Sequence, residues 1–179
     1  MRMGKIGFVA IGAGVIAALA ILFNRNRIME AFKGTSEQVF SFISKLENFY
    51  PKPYWDYSQW SVGYGSGFNW DTNTPVTKDT TVDQATAKRW LLAEAAKNMD
   101  TINKYVKVPL TANQRTALAA FVYNVGDGAF IKSTLLKKIN AKAPKAEIET
   151  AWKAWNIAGG KVNNGLVNRR AAEIKMFFS

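Results

Sequence analysis

From residue 36 onward, apolar positions recur at helical spacing in several runs, and polar caps introduce three of them. Thr35-Ser36-Glu37-Gln38, Thr81-Val82-Asp83-Gln84 and Thr111-Ala112-Asn113-Gln114 each fit the capping box, in which a hydroxyl and a Gln side chain satisfy free N–H groups reciprocally. Behind the first, Val39, Phe40, Ile43 and Leu46 share one helix face, and Glu47 stands at the end of that helix. Behind the second, residues 85–99 are Ala-rich and free of Gly and Pro, which favours a helix. Behind the third, Leu118, Phe121, Val122 and Val125 form an apolar stripe, and Gly126 is a natural C-cap. "STLLKKIN", "KAEIETAWKAW" and "LVNRRAAEIKMFF" predict three further helices. Residues 54–78 break the helical pattern. They mix aromatics, Gly, Thr and Val with Pro75, as a short antiparallel hairpin or small sheet does. The expected class is α+β, mainly α-helical, with a small β-hairpin region near its start.

The first 35 residues follow another pattern. "IGFVAIGAGVIAALAILF", residues 6–23, carries no charge. At about 1.5 Å per residue such a helix reaches roughly 27 Å, enough for the hydrocarbon core of a bilayer. A soluble-core helix would show a polar face, and this segment has none. Arg2 and Lys5 precede it and Arg25 and Arg27 follow it, so charge leaves its orientation open. Ala10, Gly14 and Ala18 recur every fourth residue, a small-residue face suited to helix–helix self-association. Ala18-Leu19-Ala20 resembles a signal-peptide cleavage site, so a cleaved leader is the alternative. The expected organisation is one N-terminal transmembrane helix within a membrane anchor at 1–27, a linker at 28–35, and a domain at 36–179.

Composition narrows the chemistry. The 179 residues include no Cys and no His. Thiol nucleophiles, disulfides, Ser-His-Asp catalysis and the usual zinc sites are thereby excluded. No Asp-rich loop has calcium-binding spacing, and no cofactor or metal is expected. Acid–base work falls to Asp, Glu, Lys or Tyr. The net charge of +11 attracts polyanions such as anionic lipid or an acidic cell wall. Without a basic stripe or a nucleic-acid motif, no nucleic-acid partner is expected.

"LENFYPKPYWDYSQWSVGYGSG", residues 46–67, sets Glu47 and Asp56 among seven aromatic side chains. Cleaving a glycosidic bond takes a proton donor for the leaving oxygen and a second group that activates water or stabilises the cationic sugar. Two carboxyls in unlike settings can divide that work, and aromatics provide both an apolar wall and flat surfaces for sugars. Trp55, Trp60 and Trp70 are candidates for stacking as well as for packing. Taken alone, two acids nine residues apart are common, and solvated surface carboxylates are their ordinary explanation.

The stretch resembles the phage-type lysozymes (endolysins, glycoside hydrolase family 24). The shared motif reads Glu47, Lys52-Pro53-Tyr54, Asp56, Ser61, then Gly63-Tyr64-Gly65. Three further blocks follow in order: "LTANQRTALAAFVYNVGDGAF" at 110–130, "STLLKKIN" at 133–140, and "AWNIAGGKVNNGLVNRRAAE" at 154–173. The resemblance covers about residues 39–178 and implies a lysozyme-like fold. It implies Glu47 as general acid, Asp56 as the group that orients or activates water, and Ser61 as a holder of that water. Ser61 stands where the family usually has Thr, and one residue closer to the Asp. Tyr123 and Asn124 match sugar-cleft positions. Arg169 and Arg170 match a tail arginine pair, one of which would sit beside Glu47.

The implied activity is hydrolysis, with inversion, of the β-1,4 bond between N-acetylmuramic acid and N-acetylglucosamine in peptidoglycan. The N-terminal segment resembles the signal-anchor of release-type endolysins. That implies a place at the host inner membrane, facing or released into the periplasm, for host lysis; a virion membrane, for wall entry, is the alternative. A lytic transglycosylase using Glu47 alone, and a non-catalytic wall-binding virion protein, remain open as rival functions.

Overall fold

The computed structural model describes residues 36–56 and 58–179. The expected membrane segment at 6–23, the linker at 28–35 and the cap at Thr35 lie outside the described residues. Among the described residues, no helix is long and apolar enough to cross a membrane. Residues Glu37–Ser179 form one compact unit.

Residues 36–46 are helical (α1), and their apolar stripe is buried at Val39 and Ile43. A hairpin follows, β1 (Tyr50–Asp56) against β2 (Gln59–Gly63), then a second small pair, β3 (Phe68–Asn69) and β4 (Thr74–Pro75). Helices α2 (Gln84–Tyr105), α3 (Ala112–Val125), α4 (Asp127–Lys132), α5 (Thr134–Asn140) and α6 (Lys145–Lys153) come next. A tight hairpin, β5 (Ile157–Ala158) and β6 (Lys161–Val162), leads into α7 (Asn164–Phe177). The mainly helical fold with small hairpins is the one expected. The short α4 and the β5–β6 hairpin are additions. Gly159 and Gly160, at φ of 57° and 74°, supply the two left-handed residues that such a turn requires.

The caps explain where helices begin. Thr111 and Gln114 form the full reciprocal box at α3: Gln114 N–H donates to Thr111 Oγ1 at 3.2 Å and Thr111 N–H to Gln114 Oε1 at 2.9 Å. At α2 the expected Thr81 cap is replaced by Asp83, whose Oδ1 accepts the Thr86 N–H at 2.7 Å. The reason is tertiary: Val82 is buried and its N–H donates to Pro51 O at 3.1 Å, which holds the chain extended there. Helix α2 also runs past residue 99 to Tyr105, because Asn98 and Ile102 still face the core.

Two apolar clusters result. The larger surrounds α3, in which residues 117–122 are all fully buried. A helix apolar all round belongs at the centre of a bundle, and α3 packs against both α2 and α7. The smaller holds Val62, Val76, Val82, Ala87 and Trp90 beneath the β region. Gly63 closes that contact. Its φ is 68°, and a Cβ there would stand 2.9 Å from the Ala87 Cβ.

Candidate active site

Helix α1 delivers Glu47 at its end, where the Glu47 N–H still donates to Ile43 O at 3.0 Å. Hairpin strand β1 ends on Asp56. Both carboxyls line a cavity of about 680 Å³, together with Asn124 at the end of α3, Trp155, and Arg169 from α7. Oε1 of Glu47 accepts a hydrogen bond from Arg169 Nη1. Oε2 of Glu47 lies 3.9 Å from where a Cβ at residue 65 would stand, and Tyr54 Oη lies 3.8 Å from the same point. A Cβ there would make only ordinary contacts with both groups; what calls for glycine at 65 is its φ of 92°. A second cavity of about 730 Å³ shares Ala154 and Trp155 with the first, but its one carboxyl, Glu147, is paired with Lys138.

The other candidates divide. Ser61 pairs across the hairpin with Tyr54, as Gln59 does with Asp56, so all four side chains share one face. Yet Ser61 is 0% exposed, is absent from the cavity lining, and its Oγ has no hydrogen-bond partner among the described residues. Tyr123 lies behind the cleft and donates its hydroxyl to Tyr64 O at 2.9 Å, tying α3 to the β region. Burial, then the charges of Glu94 and Glu47, pushes that phenol well above the usual range. Asn124 reaches the cavity, with its Oδ1 held by Arg170 Nη2 at 2.8 Å. Of the arginine pair, Arg169 faces the cavity. Arg170 is 1% exposed and stands behind it over the Phe121 ring, 4.9 Å from the centroid. The two side chains leave α7 about 100° apart, which lets Arg169 face the cavity while Arg170 turns beneath it onto Phe121.

Trp55 is the most exposed of the candidate stacking residues at 58%, edge-on to Trp60 at 5.4 Å. Trp70 packs edge-on to Phe68 in the β region.

Three further groups near the site are not among the candidate site residues of the sequence. Tyr54 stands close to both acids; burial, then Asp56 and Glu47, pushes its phenol up to about 12. Glu94, mid-helix on α2, has its carboxyl pushed up to about 7, mainly by burial and further by Asp127 and Glu47, against Lys97 and a hydrogen bond from Ser66. Glu173 is 0% exposed between the two arginines. Its signal was legible: it follows Arg169 and Arg170 at i+4 and i+3, the spacing of helical ion pairs. Glu94 carried none, since one Glu in an Ala-rich helix reads as an ordinary polar face.

A model of the Phage lysozyme family matches residues 44–173. The SAR-endolysin of Bacteriophage PS119 is 34% identical over 157 residues, 83% of this chain and 90% of that protein. The endolysin of Bacillus phage PZA is 48% identical over 81 residues, 45% of this chain but only 31% of its own length, so the chain spans about a third of that relative. Among solved structures, the endolysin from Escherichia coli O157:H7 phage FAHEc1 superposes with a TM-score of 0.70 at 31% identity, over 79% of this chain and 91% of the other.

Proposed function

The chain belongs to the phage lysozyme family of glycoside hydrolases, and from that premise we propose that it is a muramidase. It hydrolyses the β-1,4 bond between N-acetylmuramic acid and N-acetylglucosamine in peptidoglycan. The observation that carries this reading is the pair Glu47 and Asp56 on one cavity, with Arg169 on the first of them.

Glu47 donates its proton to the glycosidic oxygen as the bond from that oxygen to the anomeric carbon breaks. Asp56 accepts a proton from the water that attacks the same carbon from the opposite face. One water is consumed, the leaving sugar departs as an alcohol, and the anomeric configuration inverts. Arg169 holds the Glu47 carboxyl in place, and Asn124 offers a polar edge to the glycan. Trp155 on the cavity wall is a surface for a sugar face. Ser61 supports the hairpin under Asp56 rather than meeting the glycan, since it is fully buried. That burial favours one second reading, a lytic transglycosylase in which Glu47 acts without a held water.

Residues 6–23 form a membrane anchor that tethers the enzyme facing the wall until its release. Their lack of charge supports this, as does a SAR-endolysin relative that aligns over 83% of the chain. Collapsing the membrane potential and fractionating cells tests it: release moves the intact chain out of the membrane fraction, and full retention there removes the release step.

Digestion of purified peptidoglycan by the full chain in detergent, beside Glu47→Gln, tests the chemistry by mass spectrometry. Reducing-end N-acetylmuramic acid from the parent alone is the expected result. Anhydro-muramic ends would make it a transglycosylase, and no cleavage by the folded parent would make it a wall-binding protein.

A further inference from the structure

Behind the cleft, the α7 carboxylate of Glu173 meets three donors. Oε1 accepts Arg169 Nε at 3.1 Å and Arg170 Nη2 at 2.8 Å, and Oε2 accepts Trp152 Nε1 at 2.8 Å. Arg169 spends each nitrogen on a different partner: Nε on Glu173, Nη2 on Ala120 O at 3.1 Å, and Nη1 on Glu47. Arg170 reaches from Glu173 to Asn124 with the same Nη2. Its Nε and Nη1 are buried without a hydrogen-bond partner among the described residues. Each arginine thus runs from Glu173 to one group on the cavity wall.

We propose that Glu173 is a positioning residue for glycan cleavage, setting Glu47 through Arg169 and Asn124 through Arg170. Stability alone does not account for the arrangement. Buried charged triads are often no better for the fold than apolar side chains of similar volume, and here two arginine nitrogens are left unsatisfied. What the arrangement does supply is direction. A planar guanidinium held at Nε and Nη2 has only its remaining edge to present, and that edge meets Glu47. Without Glu173, Arg169 keeps only Ala120 O as an anchor behind the cleft, and it stands beside Arg170 with no counter-charge between them. Burial pushes the Glu173 carboxyl up while both guanidiniums oppose it, and burial brings Arg170 down to about 10.

The inference rests on Glu47 as the acid, so Glu47→Gln is assayed alongside; turnover by that variant would remove the reading itself. The test is Glu173→Gln in the full chain, with kcat, KM and the pH profile measured on soluble glycan fragments. Expected are a kcat lower by about tenfold or more with KM within about threefold, and an alkaline limb displaced to lower pH by about half a unit or more. The direction follows from charge: neutralising Glu173 leaves the positive charge of Arg169 less compensated, which disfavours the proton-bearing form of the acid. An unmoved limb, with kcat near the parent's and Glu47→Gln inactive, overturns the inference alone.

Where Glu173→Gln fails to fold, Glu173→Gln with Arg170→Met restores the net charge of the pocket. It is compared with Arg170→Met by itself, which frees Asn124 and raises KM. Expected is a limb back near the parent position with kcat still about tenfold below that of Arg170→Met, since Gln has one acceptor oxygen for the two donors Arg169 Nε and Trp152 Nε1 and holds neither with a charge-assisted bond. Equal kcat in the two would make Glu173 a mere counter-ion and overturn its positioning role.

Discussion

Replacing Glu94 by Gln should change the pH dependence of stability more than any other single substitution on α2. In the fold this carboxyl ionises near 7, against 4.5 for the ordinary group. Burial is the largest cause, and Asp127 and Glu47 add to it, while Lys97 and Ser66 oppose it. The folded protein therefore binds this proton more tightly than the unfolded chain does. Stability is highest below the unfolded value, falls as pH rises from about 4.5 through 7, and levels off above that. At 1.36 kcal/mol per pH unit the full loss is about 3 kcal/mol, of which about 2.5 kcal/mol falls between pH 5 and 8.5. Gln keeps the neutral shape and cannot ionise, so its stability relative to the parent should rise by that amount over the interval. The assay is urea denaturation of both proteins at the two pH values, with equal slopes required for the comparison. Parallel stability curves, differing by less than about 0.5 kcal/mol between the two pH values, would refute the reasoning. They would mean that Lys97 offsets the desolvation and that Glu94 is charged in the fold at neutral pH.

Thr111→Ala removes the hydroxyl half of the α3 capping box and should cost about 1 kcal/mol, read from the denaturation midpoint. Gly63→Ala meets both a left-handed backbone and the Ala87 Cβ at 2.9 Å; a loss of about 2 kcal/mol or more in stability is expected, and a neutral effect would show that β2 can move off α2. Asn124→Ala takes a polar edge from the cavity and should raise KM for glycan by about fivefold with kcat little changed. Tyr123→Phe deletes the bond to Tyr64 O and should lower stability by about 1 kcal/mol, while glycan affinity, measured by titration calorimetry, stays at the parent level.

Much of the fold was legible in the chain. Helical spacing located α1, α3, α5, α6 and α7, and turn chemistry located the hairpin between α1 and α2, because these depend on residues three or four apart. The motif around Glu47 and Asp56 was legible too: both lie in one short stretch joined by β1, and the structure brings them to one cavity. The N-cap of α2 falls at Asp83 rather than at the expected Thr81, because a backbone bond from Val82 to Pro51 outweighs the local Thr signal.

The roles of the remaining candidates were decided only in three dimensions. Which arginine meets Glu47 depends on the phase of α7 against α3 and on a contact spanning 122 residues of chain. Ser61 carries the same hydroxyl whether exposed or buried, and its burial comes from the packing of the hairpin on α2. Glu94 and Glu173 are ordinary acids in the sequence. Their distinct properties arise from desolvation and from charges carried by other elements, Asp127 and Glu47 for the first and Trp152 with the two arginines for the second. Local sequence determines backbone preference because those interactions close within a turn. Electrostatic environment is set by whatever packs nearby, and only the assembled fold specifies that.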